Sequence, residues 1–189
     1  MATKPGERKT QILQTLASML EQPQGEKITT AALAAKVGVS EAALYRHFAS
    51  KAQMFEALIE FIEESVFSLV NQITQTERDG RAQVQQMVSM LLNFAEKNPG
   101  MVRVLIGDAL VHEDARLQTR INQLLDRIES SLKQALQLVV AAPGGSVAPS
   151  AHANALCAFV IGRWELFAKS GFKRAPSEHW AEQMALFRL

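Results

Sequence analysis

With a single cysteine in 189 residues, no disulfide can close within one chain. Cys157, set in an apolar run, reads as a buried thiol of a reducing compartment. Nor is there an uninterrupted apolar stretch of membrane-spanning length. The most apolar run, Ala151 to Ala168, is broken by His152, Asn154, Arg163 and Glu165, and the first residues carry proline, glycine and mixed charge where a secretory signal needs an apolar stretch. The expectation is a cytoplasmic chain without membrane contact. Catalytic signatures are missing too: no HExxH, CxxC, GxSxG or glycine-rich phosphate loop occurs, and His47, His112, His152 and His179 are far apart. We therefore expect no enzyme, no catalytic residue, no metal ligand and no cofactor. Strong net charge is absent, at +1 overall, but it is uneven, with +3 over residues 1–51 and −2 over the rest. Hydrophobic residues make up 48% of the chain, enough for a sizeable core.

The basic end coincides with the most informative segment, Thr29 to Phe48. Leu33 and Val37 lie four apart on one face of a first short helix, with Ala34 small enough for a second helix to cross close by. Gly38 stands where the apolar repeat breaks and can take the left-handed conformation that ends a helix. Ser40 then caps a second helix, Glu41 suits the positive end of its dipole, and Leu44 and Phe48 pack inward. Ser40, Ala43, Tyr45 and His47 are left facing outward. A helix so presented fits the major groove of B-DNA. Around it Thr29, Thr30, Tyr45, His47 and Lys51 supply groups for phosphates, and Arg46 is a further phosphate contact. The alternative is a helical hairpin that merely packs.

The run from about Pro5 to Phe61, especially VGVSEAALYRHFASKAQMFEALIEF, resembles the DNA-binding domain of TetR-type regulators. That family's motif ends in a tyrosine, basic or aromatic residues, a phenylalanine and a lysine, matched here by Tyr45, Arg46, His47, Phe48 and Lys51. Further likeness in LIEFIE, NPGM and RINQLLDRIE is to the nucleoid-occlusion branch of the family, which blocks cell division over DNA. The resemblance implies an all-α fold: a three-helix helix-turn-helix domain over residues 5–50, then a helical core for partner binding and dimerisation over 51–189. It also implies a nucleoid-associated homodimer, open to higher-order assembly on DNA, that binds the division protein FtsZ through its C-terminal tail.

The remaining periodicity predicts helices throughout. Ile12, Leu13, Leu16, Met19 and Leu20 mark a first helix from Pro5 to about Glu21, followed by a loop over Gln22 to Lys27. Ser50 caps a long helix to about Thr76, with Phe55, Leu58, Ile59, Ile62, Val66, Leu69, Val70 and Ile73 as its core stripe. Gly80 punctuates the chain before a helix from Ala82 to Lys97, and Asn98, Pro99 and Gly100 break it before a short helix from Met101 to about Leu110. His112, Glu113 and Asp114 cap an amphipathic helix carrying Leu117, Ile121, Leu124, Leu125, Ile128, Leu132, Leu136 and Val139. Its regularity approaches a coiled coil, but a core helix is the plainer reading. Ala142 to Ser150 reads as a loop.

From Ala151 to Ser170 the chain is apolar on nearly all sides, and a helix of that kind must be covered all round. A second copy is the natural cover, through Leu156, Phe159, Val160, Trp164 and Phe167, with Gly162 permitting close approach and a last helix from about Pro176 or Ser177 to Arg188 joining in. Two reading helices about a two-fold axis require palindromic double-stranded DNA with half-sites roughly 34 to 36 Å apart.

Phe61 lies roughly 120° from the centre of the long helix's core stripe, beside Ser65. On the next helix Met90, Asn93 and Lys97 share a face away from the core. An exposed Phe and Met near a Lys suit an acidic peptide with apolar anchors, which the resemblance identifies with the FtsZ tail; equally, Phe61 and Met90 can pack on each other. A ligand-responsive repressor is the competing function, with Met87, Met90, Phe94, Met101 and Trp164 lining an apolar cavity.

Overall fold

The computed structural model describes residues 5–22, 28–111, 113–141 and 148–188. These form α1 (Pro5–Leu20), α2 (Thr30–Val37), α3 (Glu41–Tyr45), α4 (Lys51–Thr76), α5 (Gly80–Lys97), α6 (Pro99–Leu105), α7 (Ala115–Ala141), α8 (Pro149–Lys169) and α9 (Trp180–Met184), with 3-10 turns at Asp108–Leu110 and Ala185–Phe187. There is no strand among the described residues. Most of the expected loop after α1 and most of that before α8, Pro23 to Lys27 and Ala142 to Val147, lie outside the described residues, as does His112.

Local chemistry sets the helix ends near the motif. Thr29 caps α2 by accepting from the Ala32 N–H at 3.1 Å. Gly38, at φ +79°, turns the chain out while its N–H reaches the carbonyls of Ala34 and Ala35 and the Val39 N–H bonds Ala34. Ser40 accepts from the Ala43 N–H at 3.2 Å to start α3. Ser50 accepts from the Gln53 N–H to start α4, and the Gln53 side chain reaches back to the Ala49 N–H.

Packing makes two parts share α4. Ile12, Leu16 and Leu20 of α1 pack with Leu33, Val37, Leu44 and Phe48 in a small head that rests on the first turns of α4, where Met54, Phe55 and Leu58 are buried. Past that point α4 lies against α5 and α7, and α8 completes the body by packing on α5 and α7. The domain boundary expected at residue 50 falls at the cap of a helix that serves both parts.

Two glycines have a role other than punctuation. Gly80 is inside α5, in its first turn after the Asp79 cap, and a Cβ there would stand 2.5 Å from the Ala135 carbonyl oxygen of α7. Gly100 lies within α6, where a Cβ would stand 1.9 Å from the Ala17 oxygen of α1. Each is the point where two helix backbones meet. The short helix after Asn98 accordingly begins at Pro99, and it stops at Leu105 instead of continuing to Leu110. Pro149 and Ser150, expected in a loop, form the first turn of α8, because proline at that position forfeits no hydrogen bond. The last helix is shorter than expected, since Ala175 to Glu178 form a loop whose carbonyls are held by Arg163.

Candidate DNA-binding and partner-binding surfaces

Two expected DNA contacts, Thr30 and Tyr45, are linked with Glu41 in one set where α2 crosses α3. Thr30 donates to Glu41 Oε2 at 2.8 Å, and the Tyr45 hydroxyl donates to Thr30 Oγ1 at 3.4 Å. Tyr45 remains 44% exposed, so its ring edge stays available outside the head. Thr29 and Ser40 use their oxygens as cap acceptors, and each keeps a hydroxyl proton to donate outward. Arg46 is exposed, whereas Ala43 and His47 are half-buried. Lys51 is not displayed at all in the expected way: its ammonium pairs with the Glu113 carboxylate, 5.6 Å from the centre of the Phe55 ring. Sequence reasoning missed Lys9 and Lys36, exposed cations on α1 and α2 that add to the positive head, with Lys9 standing 5.7 Å over the Phe48 ring. The excess of positive charge at this end was the only signal for them.

The second surface lies on the α4–α5 hairpin. Its turn is tight because the Glu77 carboxylate accepts from the Arg78 and Asp79 N–H groups, and the buried Gln83 amide donates to the Glu77 carbonyl. Equal rises from that turn bring Phe61 level with the last turns of α5, which carry Asn93 and Lys97. Phe61 is 41% exposed and outside the core. Ser65 donates to the Phe61 carbonyl at 2.7 Å, and Asn93 to that of Ser89. Met90 is half-buried against the core, while Asn93 and Lys97 are exposed. Leu69, expected in the core stripe, is instead 40% exposed, because α7 and α5 cover only the side of α4 that bears Ile62, Val66 and Val70. Phe61, Ser65 and Leu69 therefore follow one another at intervals of four along an open face.

The expected dimer face requires a correction. Leu156, Val160, Trp164 and Phe167 are buried within the subunit itself, and the Trp164 indole donates to the Leu91 carbonyl at 3.2 Å. Phe159 is half-buried, with the rings of Trp180 and Phe187 at 5.5 and 5.6 Å. The sequence reading treated α8 as apolar on nearly all sides, yet its large apolar side chains other than Leu166 turn to α5, α7 and the C-terminal segment. The face left open carries small residues, Ala151, Ala155, Ala158 and Gly162, then Leu166.

Of the residues expected to line an apolar cavity, Met87, Met101 and Trp164 are buried core side chains. A cleft of about 710 Å³ lies elsewhere, between α6, the start of α7 and the end of α8, lined by Arg103, Gln118, Glu165 and Phe172 among others. Its cations are already engaged, Arg103 with Asp108 at 2.6 Å and Lys169 with Glu165 at 2.8 Å. Burial, aided by Glu129 and Asp126, pushes the Cys157 thiol up to about 11, so it is protonated and unreactive near neutral pH. No helix among the described residues is long and apolar enough to cross a membrane.

Comparison with known proteins bears on all of these surfaces. Residues 17–58 match the family of bacterial regulatory proteins, tetR family, and residues 78–189 match the SlmA-like tetracyclin repressor-like C-terminal domain. The chain is 52% identical over 187 residues to the nucleoid occlusion factor SlmA of a Marinomonas species, covering 97% of this chain and 94% of that protein. It is 49% identical over 189 residues to SlmA of Alteromonas mediterranea, covering 99% and 97%. The fold is similar to that of a TetR transcription regulator from Haloarcula marismortui, with a TM-score of 0.79 over 96% of each chain at 16% identity. With both parts matched and about half of all residues shared over nearly the full length, the chain belongs to the TetR family and, within it, to the SlmA group of nucleoid occlusion factors.

Proposed function

We propose that the chain is a nucleoid-associated, cytoplasmic dimer that binds palindromic DNA through its helix-turn-helix and, while bound there, captures the C-terminal tail of FtsZ to block division-ring assembly over the chromosome. The observation that carries the reading is the near-full-length identity to SlmA proteins, extending through the α4–α5 hairpin as well as the DNA-binding head. The exposed Phe61 and Leu69 of α4, with the exposed Lys97 at the end of α5, offer apolar anchors and a positive charge to an acidic, partly apolar peptide. Thr29, Thr30, Tyr45, His47, Arg46 and Lys51 contact phosphate, while Ser40 and Ala43 face the bases. The open Ala and Gly face of α8, with Leu166, lets a second copy approach closely.

Two results are expected from the purified chain. Its affinity for the duplex it selects should fall steeply with salt, and Tyr45→Ala should weaken binding to all sequences alike, because a phosphate contact carries no base information. Salt-independent binding would count against this surface. The same DNA-bound chain should retain FtsZ in a pull-down, with Phe61→Ala, Leu69→Ala or Lys97→Glu each weakening capture by about tenfold, the size of a small hot-spot loss of about 1.4 kcal/mol. If these variants hold FtsZ as well as the unmodified chain does, the surface is misplaced. If the unmodified chain on its DNA never retains FtsZ and a metabolite releases it from DNA instead, the ligand-responsive repressor is the better reading.

A further inference from the structure

We propose that Glu113 is a positioning residue for the DNA contact at Lys51, holding its ammonium against the helical body in the free subunit and yielding it to a phosphate when DNA binds. The inference rests on the reading of the head as a DNA-binding surface. Lys51 is the first residue of α4, directly after the Ser50 cap, and its partner lies 62 residues away, just before α7. The two side chains retain only 21% and 12% of their exposure. An ammonium so enclosed is not presented to a phosphate, and one small cation cannot hold a carboxylate and a phosphate side by side without bringing two anions into repulsive contact.

The surroundings make an exchange of partners feasible. Lys51 sits on a flexible four-carbon stem, so its charge can swing outward while the backbone stays in place. Glu113 precedes the first turn of α7, where the positive end of the helix dipole still compensates a carboxylate after its cation has left. Other pairs keep α4 on α7 during the exchange: Arg116 with Glu56 at 2.9 Å, Arg120 with Glu63 at 2.6 Å, and Arg127 stacked 3.9 Å over the Phe67 ring. Only the Lys51 side chain is released, and DNA binding is thereby weakened by whatever the Lys51–Glu113 pair is worth.

The test is a double-mutant cycle on the full chain, with Kd for the selected duplex measured from about 50 to 200 mM salt. Glu113→Gln should tighten binding about tenfold, the factor for about 1.4 kcal/mol of released competition, and leave the log–log salt slope unchanged. Lys51→Met should reduce that slope by about 0.9. In the Lys51→Met background, Glu113→Gln should change Kd by about twofold at most, which separates the exchange from the removal of a distant negative charge. Glu113→Asp, a milder change should Glu113→Gln fail to fold, should tighten binding by a smaller factor. Equal tightening in both backgrounds, or none in either, overturns the proposal while leaving DNA binding intact. A chain that selects no duplex at all overturns the DNA-binding reading itself, and this inference with it.

Discussion

Trp164→Ala should lower the unfolding free energy by about 3–5 kcal/mol, the usual cost of emptying a tryptophan site in a packed core. The indole is 1% exposed, and its N–H bonds the Leu91 carbonyl of α5, so the variant both opens a cavity and removes a buried hydrogen bond between α8 and α5. For a chain of this length, that is a fall in thermal midpoint of roughly 10 °C. The contrast is with the open face of the same helix. Ala158→Glu, where a carboxylate projects into solvent in the isolated subunit, should leave the monomer folded but bury an unpaired charge between two copies, at a cost of several kcal/mol. Sedimentation of the two variants distinguishes the roles. If Trp164→Ala were fully folded and monomeric, the side chain would belong to the interface and its burial in the subunit core would be irrelevant.

Gly100→Ala should be destabilising by about 1–3 kcal/mol even though alanine favours a helix over glycine by about 1 kcal/mol, because the overlap is with backbone and falls at the upper end of overpacking costs. The added methyl would stand 1.9 Å from the Ala17 carbonyl oxygen, which is backbone within α1 and cannot swing aside. Relief requires α1 and α6 to separate, and α1 braces α2 on its other side. DNA affinity should therefore drop along with the thermal midpoint. A Gly100→Ala chain that melts higher than the unmodified one would mean that helix propensity outweighs the contact and that α1 and α6 are not in close approach.

Both expectations concern positions where local reading of the chain went astray, and for one reason. Gly80 and Gly100 look like punctuation because glycine commonly ends helices, but their purpose is set by Ala135 and Ala17, which are distant in sequence. Trp164 looked like an interface residue because α8 is apolar on most sides; which side faces α5 is a property of the packed bundle. Leu69 completes a faultless helical stripe and is exposed all the same, since α5 and α7 are too narrow a cover to reach it.

What the sequence determined by itself is the set of features governed by neighbours within a few residues. The Gly38 turn, the Ser40 and Ser50 caps, the inward pair Leu44 and Phe48, and the amphipathic course of α7 all follow from interactions across one to four positions, where residue type nearly fixes conformation. The family resemblance rests on the same short segments. Only the tertiary structure decided the partner of Lys51, the free face of α4 and the side of α8 left for a second copy. These depend on which helices meet and at what distance, and such contacts join residues tens of positions apart that no local periodicity connects.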